Sequence, residues 1–304
     1  MSVQLDNTNV SKVLGKVVDY PDQYDPSILV REPRQSNRRH LQIHDDDLPF
    51  VGADVWNAYE VSCLTEKGLP VAAIAKIVYP CSNEYIVESK SIKLYFNSYN
   101  MSRFGQTPDE ALRVIGERAS HDLSDLLETN VVISLYTPTE ARENATRDIF
   151  DPKKYITLED QSNVVDDLSF EKYTETPSIL QSSISKKPTK QYYHSSLLKS
   201  NCRVTNQPDW GDVYIYMDSN NVLLPKQLLQ YIVSYRDECH FHEEICETIY
   251  KRLHTLYRPR ELAVTCLYAR RGGIDINPTR VSSVDLLNMD LIDPQVVFTK
   301  TPRQ

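Results

Sequence analysis

The residues from Thr107 to Thr129 constrain the fold of this chain more than any other stretch. Thr107-Pro108-Asp109-Glu110 is a helix start, with a threonine to cap, a proline at the first helical position and a glutamate to complete a capping box. Leu112, Ile115, Ala119, Leu123 and Leu126 then recur at helical spacing, which predicts one long amphipathic helix to about Thr129. A helix with one apolar stripe needs a second layer to bury it. The flanks supply strands for that layer. Tyr59 to Leu64, the turn Lys67-Gly68-Leu69-Pro70 and Val71 to Tyr79 read as a β-hairpin, Tyr85 to about Leu94 as a third strand and Val131 to Tyr136 as a fourth. The class is α+β.

The second half repeats the theme: a strand through Asp212 to Met217, helical material over Pro225–Arg236 and His242–Tyr257, then a strand from Glu261 to Arg270. This order predicts two similar lobes. Residues 1–140 hold a polar N-terminal arm, to about residue 50, and the first lobe; 141–192 are a polar connector with little periodicity; 193–304 are the second lobe.

Composition narrows the chemistry. A formal net charge of -8 and a pI near 5.4 argue against a nucleic-acid partner, which a basic patch would signal. The N-terminus has neither the basic start nor the apolar run of a signal peptide, and no stretch approaches a membrane span. Six scattered cysteines without a CxxC pair fit free thiols in a reducing cytoplasm. Cys239, His240, His242 and Cys246 follow no familiar zinc spacing, and the segment reads as helix, so no metal is expected.

Four stretches carry possible chemistry. Cys202 and Asp209 put a nucleophile and a proton donor seven residues apart, although a buried thiol beside a Pro-Asp-Trp-Gly turn has the same letters. Glu88-Ser89-Lys90-Ser91-Ile92-Lys93, read as a strand, carries charge on both faces, as either a protected edge or a pocket wall. His242-Glu243 opens a helix, where an acid is stabilised by the dipole or anchors a ligand. Arg270-Arg271-Gly272-Gly273 ends a strand in a turn that suits a phosphate as well as a plain reversal. The chain has no GxGxxG after a strand, no Walker loop and no GxSxG elbow.

Together these stretches resemble the NADPH-dependent 7-cyano-7-deazaguanine reductases, nitrile reductases that make a queuosine precursor, in their longer two-lobed form. The likeness runs from about Leu48 to Asn277, through Glu88–Tyr95, Cys202–Trp210, Phe241-His242-Glu243 and Arg270–Pro278. It implies tandem tunnelling-fold lobes, antiparallel sheets backed by helices. It also implies that Cys202 adds to the nitrile carbon as a covalent thioimide, that Asp209 protonates the nitrogen, and that NADPH delivers hydride twice. Val87, Glu88, Ser89, His242 and Glu243 would line the deazaguanine site, and Ser89, Lys90, Arg271 and Gly272 the NADPH site, with Arg270 a further candidate for the extra phosphate. Arg203, beside the cysteine, departs from the small or apolar residue expected there. A homodimer or larger homo-oligomer is expected. The rival readings are another activity on this fold, of amidinotransferase or pterin and GTP cyclohydrolase type, and a non-catalytic purine-binding protein.

Overall fold

The computed structural model describes residues 21, 23–145, 148–297 and 299–304. Strand β1 (Arg31–Pro33) and helix α1 (Gln35–Arg38) lead into a long hairpin, β2 (Val51–Leu64) and β3 (Pro70–Pro80). Then come β4 (Tyr85–Val87), α2 (Ser89–Ser98), α3 (Pro108–Leu127), β5 (Val132–Tyr136) and α4 (Pro138–Asn144). β6 (Ile156–Thr157) and α5 (Ser162–Val165) connect to a second hairpin, β7 (Ser182–Cys202) and β8 (Pro208–Leu223). The chain closes with α6 (Pro225–Val233), β9 (Cys239–His240), α7 (His242–Tyr257), β10 (Glu261–Tyr268), β11 (Ile274–Val281) and α8 (Met289–Ile292).

The order β5-β3-β2-β11-β10-β8-β7-β6 forms one sheet, with β9 paired to the end of β7. The two halves meet where β11 pairs antiparallel with β2, from Ile274 opposite Ala58 to Val281 opposite Val51. Each half holds a hairpin and two main helices followed by returning strand, β5 in the first half and β10 with β11 in the second, so the molecule is α+β as its patterning implies.

Periodicity explains the layers. In β3, alternate residues Val71, Ala73, Ala75, Ile77 and Tyr79 are buried and meet Leu112, Ile115, Ala119, Leu123 and Leu127 of α3. In the second half, Ile245, Ile249 and Leu253 of α7 cover Val213, Ile215 and Met217 of β8 and Val264 of β10. Each such side chain contributes about 1.5–3 kcal/mol by leaving water. Thr107 caps α3 as expected, accepting from the Glu110 N–H at 3.3 Å, while the Glu110 carboxylate accepts from the Gln106 N–H at 2.7 Å, one residue before the cap.

Four expectations change. The strand read over Tyr85–Leu94 stops at Val87, and α2 begins at Ser89. Ile92, Tyr95, Phe96 and Tyr99 are its buried stripe, so the apparent charge on two strand faces was Lys90 and Lys93 sharing one helical face. Cys239 and His240 are not helical but pair with Asn201 and Cys202, because Phe241 is extended (φ -74, ψ 156) and α7 starts only after it. The connector over 141–192 holds β6 and α5, and β7 enters it at Ser182; the Ser182–Lys187 end is mostly exposed, which made it look like a linker. Finally, the turn at Arg270-Arg271-Gly272-Gly273 does not close the sheet: Ile274-Asp275-Ile276-Asn277-Pro278 after it opens β11, a fully buried central strand that the patterning did not announce. Its polar residues hid it, and each finds a partner: Asn57 and Asn277 donate to Asp275 at 2.6 Å, and Arg280 meets Asp54 at 2.8 Å.

Arg280 belongs to a buried ion network at the seam between the halves. Asp54 of β2 pairs with Arg34 at 2.5 Å and with Arg280, while Glu247 of α7 pairs with Arg280 at 2.9 Å and Arg38 at 2.8 Å. Arg38 also reaches Asp45 at 2.8 Å, so three guanidiniums face three carboxylates. Such balance is what lets charges stay buried, since removing one partner from a pair of this kind costs about 3–5 kcal/mol. Through Arg34 and Arg38, the segment before β2 is tied to the strands and helix that frame the site.

Candidate functional site

Two adjoining clefts open where the halves meet. The narrow one is lined by Trp56, Val87 and Ser89 from the first half and by Cys202, Asp209, Phe241, His242, Glu243 and Arg271 from the second. The wider one shares Ser89, His242 and Arg271 and adds Lys90, Lys93, Thr205, Gln207 and Gly272. All the residues singled out from the sequence as site candidates line one cleft or the other, except Glu88 and Arg270. Glu88 lies between Val87 and Ser89, 1% exposed, and lines neither. Arg270 stacks over the Tyr59 ring at 3.2 Å instead.

The spacing of Cys202 and Asp209 is that of a hairpin mouth. Cys202 ends β7 and Asp209 opens β8, opposite Ser200. The loop between them is fastened by the Cys202 N–H to the Gln207 carbonyl (2.8 Å) and the Asn206 N–H to the Cys202 carbonyl (3.0 Å). Asn206 takes a left-handed conformation (φ 54), which asparagine tolerates. His242 and Glu243 come from the first turn of α7, where Glu244 accepts the Phe241 N–H at 3.0 Å and closes the helix end. Gly272 (φ 61) and Gly273 (φ 76) let the β10–β11 turn bend against the first half: a Cβ on Gly272 would stand 3.0 Å from Lys93 Nζ, and one on Gly273 only 2.5 Å from the Glu60 carboxyl carbon.

The electrostatics of the two hairpin ends are opposed. Burial raises the Cys202 thiol, but the Thr205 hydroxyl, the Thr205 and Val204 backbone N–H groups and the Arg271 guanidinium outweigh it and hold the thiol below its ordinary value. For Asp209 burial wins: the carboxyl is pushed up to about 6 although Arg271 and Lys199 pull it down. Arg271 lies 3.1 Å from Asp209 and His242 Nε2 lies 3.8 Å away. Burial, then Arg271, lowers His242 to about 3, so its imidazole is neutral; it sits edge-on to Tyr268 at 4.1 Å. Glu243 is raised by burial and by Asp54, and its Oε1 is buried with no hydrogen-bond partner among the described residues.

The four residues weighed as a metal cluster are dispersed. His240 lies between Glu238 (3.1 Å) and Glu244 (3.2 Å), which raise it to about 9 against the effect of burial, while Cys246 lies in the core under the sheet. Arg203 turns to Glu244 at 2.7 Å and over the Phe241 ring at 5.6 Å, which accounts for a cation beside Cys202 without giving it the sulfur as partner. Sequence reasoning missed Trp56, Lys93, Thr205 and Gln207. Lys93 was legible once Lys90 lies on a helix, three residues away; Trp56 stands ahead of the strand read from Tyr59 and carried no signal of its own.

Residues 20–135 match the family described as "Nitrile reductase, 7-cyano-7-deazaguanine-reductase N-term", and 208–284 match "QueF-like protein". The chain is 39% identical over 282 residues to the NADPH-dependent 7-cyano-7-deazaguanine reductase of Acidovorax ebreus (strain TPSY), covering 91% of this chain and 95% of that one. It is 36% identical over 303 residues to the enzyme of the same name from Colwellia psychrerythraea (strain 34H / ATCC BAA-681), covering 98% of both.

Proposed function

The chain belongs to the NADPH-dependent 7-cyano-7-deazaguanine reductase family, and from that premise we propose how its own residues carry out the reduction of the nitrile to an aminomethyl group. The reaction is R–C≡N + 2 NADPH + 2 H⁺ → R–CH₂–NH₂ + 2 NADP⁺, a step in making a queuosine precursor. The observation that carries the residue assignment is the meeting, in one narrow cleft, of a thiol held low and a carboxyl held high.

The Cys202 thiolate adds to the nitrile carbon, and the displaced π pair on nitrogen takes the proton of Asp209, leaving a thioimide. Those requirements conflict only if both groups follow the same shift, and here they do not. NADPH, when bound, supplies the hydride for each of the two reductions. The wider cleft fits that cosubstrate, since Lys90, Lys93 and Arg271 offer cations to phosphate and Gly272 leaves the backbone open beside Lys93. Ser89 lies at the border of the two clefts. After the first reduction the thiolate departs, leaving an imine for the second.

The orphan oxygen of Glu243 suits the N–H groups of the deazaguanine ring; burial, then Asp54, pushes that carboxyl up to about 8, so it accepts as a neutral group, a contact worth about 0.5–1.5 kcal/mol. Val87 and Ser89 form the wall from the first half; Glu88, between them, lines neither cleft, and to serve as the second carboxyl for that face it has to turn toward the bound ring. His242, neutral, orders the ring by contact rather than by charge.

The same reading takes the two halves as tandem tunnelling-fold lobes, the chain as a homodimer or larger assembly, and its place as the cytoplasm. It involves neither nucleic acid nor membrane; no helix among the described residues is long and apolar enough to cross a bilayer. The test is stoichiometric: purified protein with 7-cyano-7-deazaguanine should oxidise about two NADPH per amine formed, as the balanced equation requires. Binding without oxidation would favour the purine-binding alternative.

A further inference from the structure

The narrow cleft contains one donor that the steps above leave unused. Trp56 of β2 lines it together with Glu243 of α7. The only polar side-chain atom of Trp56, the indole Nε1, is buried and has no hydrogen-bond partner among the described residues. The residue is 1% exposed, so bulk solvent does not reach that N–H. A buried tryptophan ordinarily hands its N–H to an acceptor, and a donor left unmet is costly. The strand pairing holds none in reserve. Trp56 stands opposite Ile77 of β3 and Ile276 of β11, both apolar, and the hydroxyl of Tyr79, two residues along β3, is itself buried without a partner. Glu243 Oε1 is unmet as well, so a donor from the first half and an acceptor from the second border the same cleft.

We propose that Trp56 is a specificity-determining residue of the deazaguanine site, its indole N–H donating to the ring carbonyl oxygen while Glu243 accepts from the ring N–H groups. A deazaguanine edge carries that carbonyl directly beside a ring N–H, so it offers one acceptor and one donor to the pair. A ring with an amino group in place of the carbonyl sets donor against donor and leaves the buried indole unmet. The indole is suited to this discrimination because it only donates, whereas a hydroxyl could rotate and accept from the amino group instead. Its ring also belongs to the core of the first half, which holds the N–H in one place.

The inference rests on the deazaguanine reading of the cleft. Its test uses two probes without a nitrile, which bind the full chain without reacting: 7-deazaguanine and 2,6-diamino-7-deazapurine, in which an amino group replaces the carbonyl. Calorimetry should show wild type favouring 7-deazaguanine, and Trp56→Phe, which keeps an aromatic ring and removes the N–H, should narrow that preference by about tenfold. The preference is a ratio taken on one protein, so a general loosening of the core in the variant cancels. An unchanged preference, with 7-deazaguanine bound, overturns the proposal and leaves the reductase reading standing; wild type that binds neither probe overturns both. A second readout keeps the wild-type residue in place. The chain has two tryptophans, so Trp210→Phe assigns the Trp56 indole resonance in protein carrying nitrogen-15 in its indoles. That N–H proton should move downfield on binding 7-deazaguanine and not on binding the diamino compound. No shift, or the same shift with both, overturns the proposal.

Discussion

Cys202 and Asp209 stand at the two ends of one hairpin mouth, each 5% exposed, and Arg271 acts on both. Their acidities nevertheless move in opposite directions. The sulfur is met by two backbone N–H groups and a hydroxyl as well as the guanidinium, whereas the carboxyl has only the field of Arg271 and Lys199 against its burial. Depth therefore does not decide protonation in this cleft; the number of donors aimed at the charged form does. A nucleophile and an acid can share one wall on that basis.

The largest test of the contrast is Asp209→Asn, which removes the proton donor of the proposed mechanism and keeps its outline. A fall in kcat/KM of about 10²–10⁴-fold is expected. The pH profile sharpens it: the productive form pairs a Cys202 thiolate with a protonated Asp209, so the wild-type rate should follow a bell to which each group contributes one limb. Asp209→Asn should lose one limb only. Retention of both would assign that limb to another group.

The same substitution should stabilise the protein. Asp209 has its folded-state value raised from 3.8 to about 6, so the folded state binds the extra proton and is penalised progressively as pH rises from 3.8 to 6, and fully above it. Thermal unfolding at pH 7.5 should show Asp209→Asn more stable by on the order of 2 kcal/mol, with the gain gone below pH 4. A gain that persists at low pH would point to packing instead.

The smallest effect is expected at Arg203. Its pair with Glu244 is one-third exposed on the arginine side, which limits it to about 1 kcal/mol or less. Arg203→Ala should leave the pH profile of Cys202 alkylation in place. A shift there would bring Arg203 into the sulfur's environment.

Much of this was legible before any coordinates. The stripe of α3 and the alternation of β3 announced a helix on a sheet, because burial imposes a period on sequence. Cys202 and Asp209 stood out in the sequence as a pair, and the hairpin brings both, seven residues apart, to one cleft. What stayed hidden was buried polarity. β11 was not recognised because Asp275, Asn277 and Arg280 look like surface letters until their partners on β2 and α7 are known. α2 was misread as strand to about Leu94 because β4 runs almost directly into it, and its buried stripe of Ile92, Tyr95, Phe96 and Tyr99 shows its period mostly beyond that end. The question of how Asp209 stays protonated beside a thiolate needed three-dimensional burial and donor directions, which no spacing encodes.

The most direct measurement is intact-protein mass spectrometry of the chain with 7-cyano-7-deazaguanine and no NADPH, followed by peptide mapping. A single adduct of the substrate's mass should form on Cys202, and Cys202→Ala should form none. An adduct on another cysteine, Cys239 being the partly exposed one, or no adduct with substrate bound and turnover intact, would contradict Cys202 as the nucleophile.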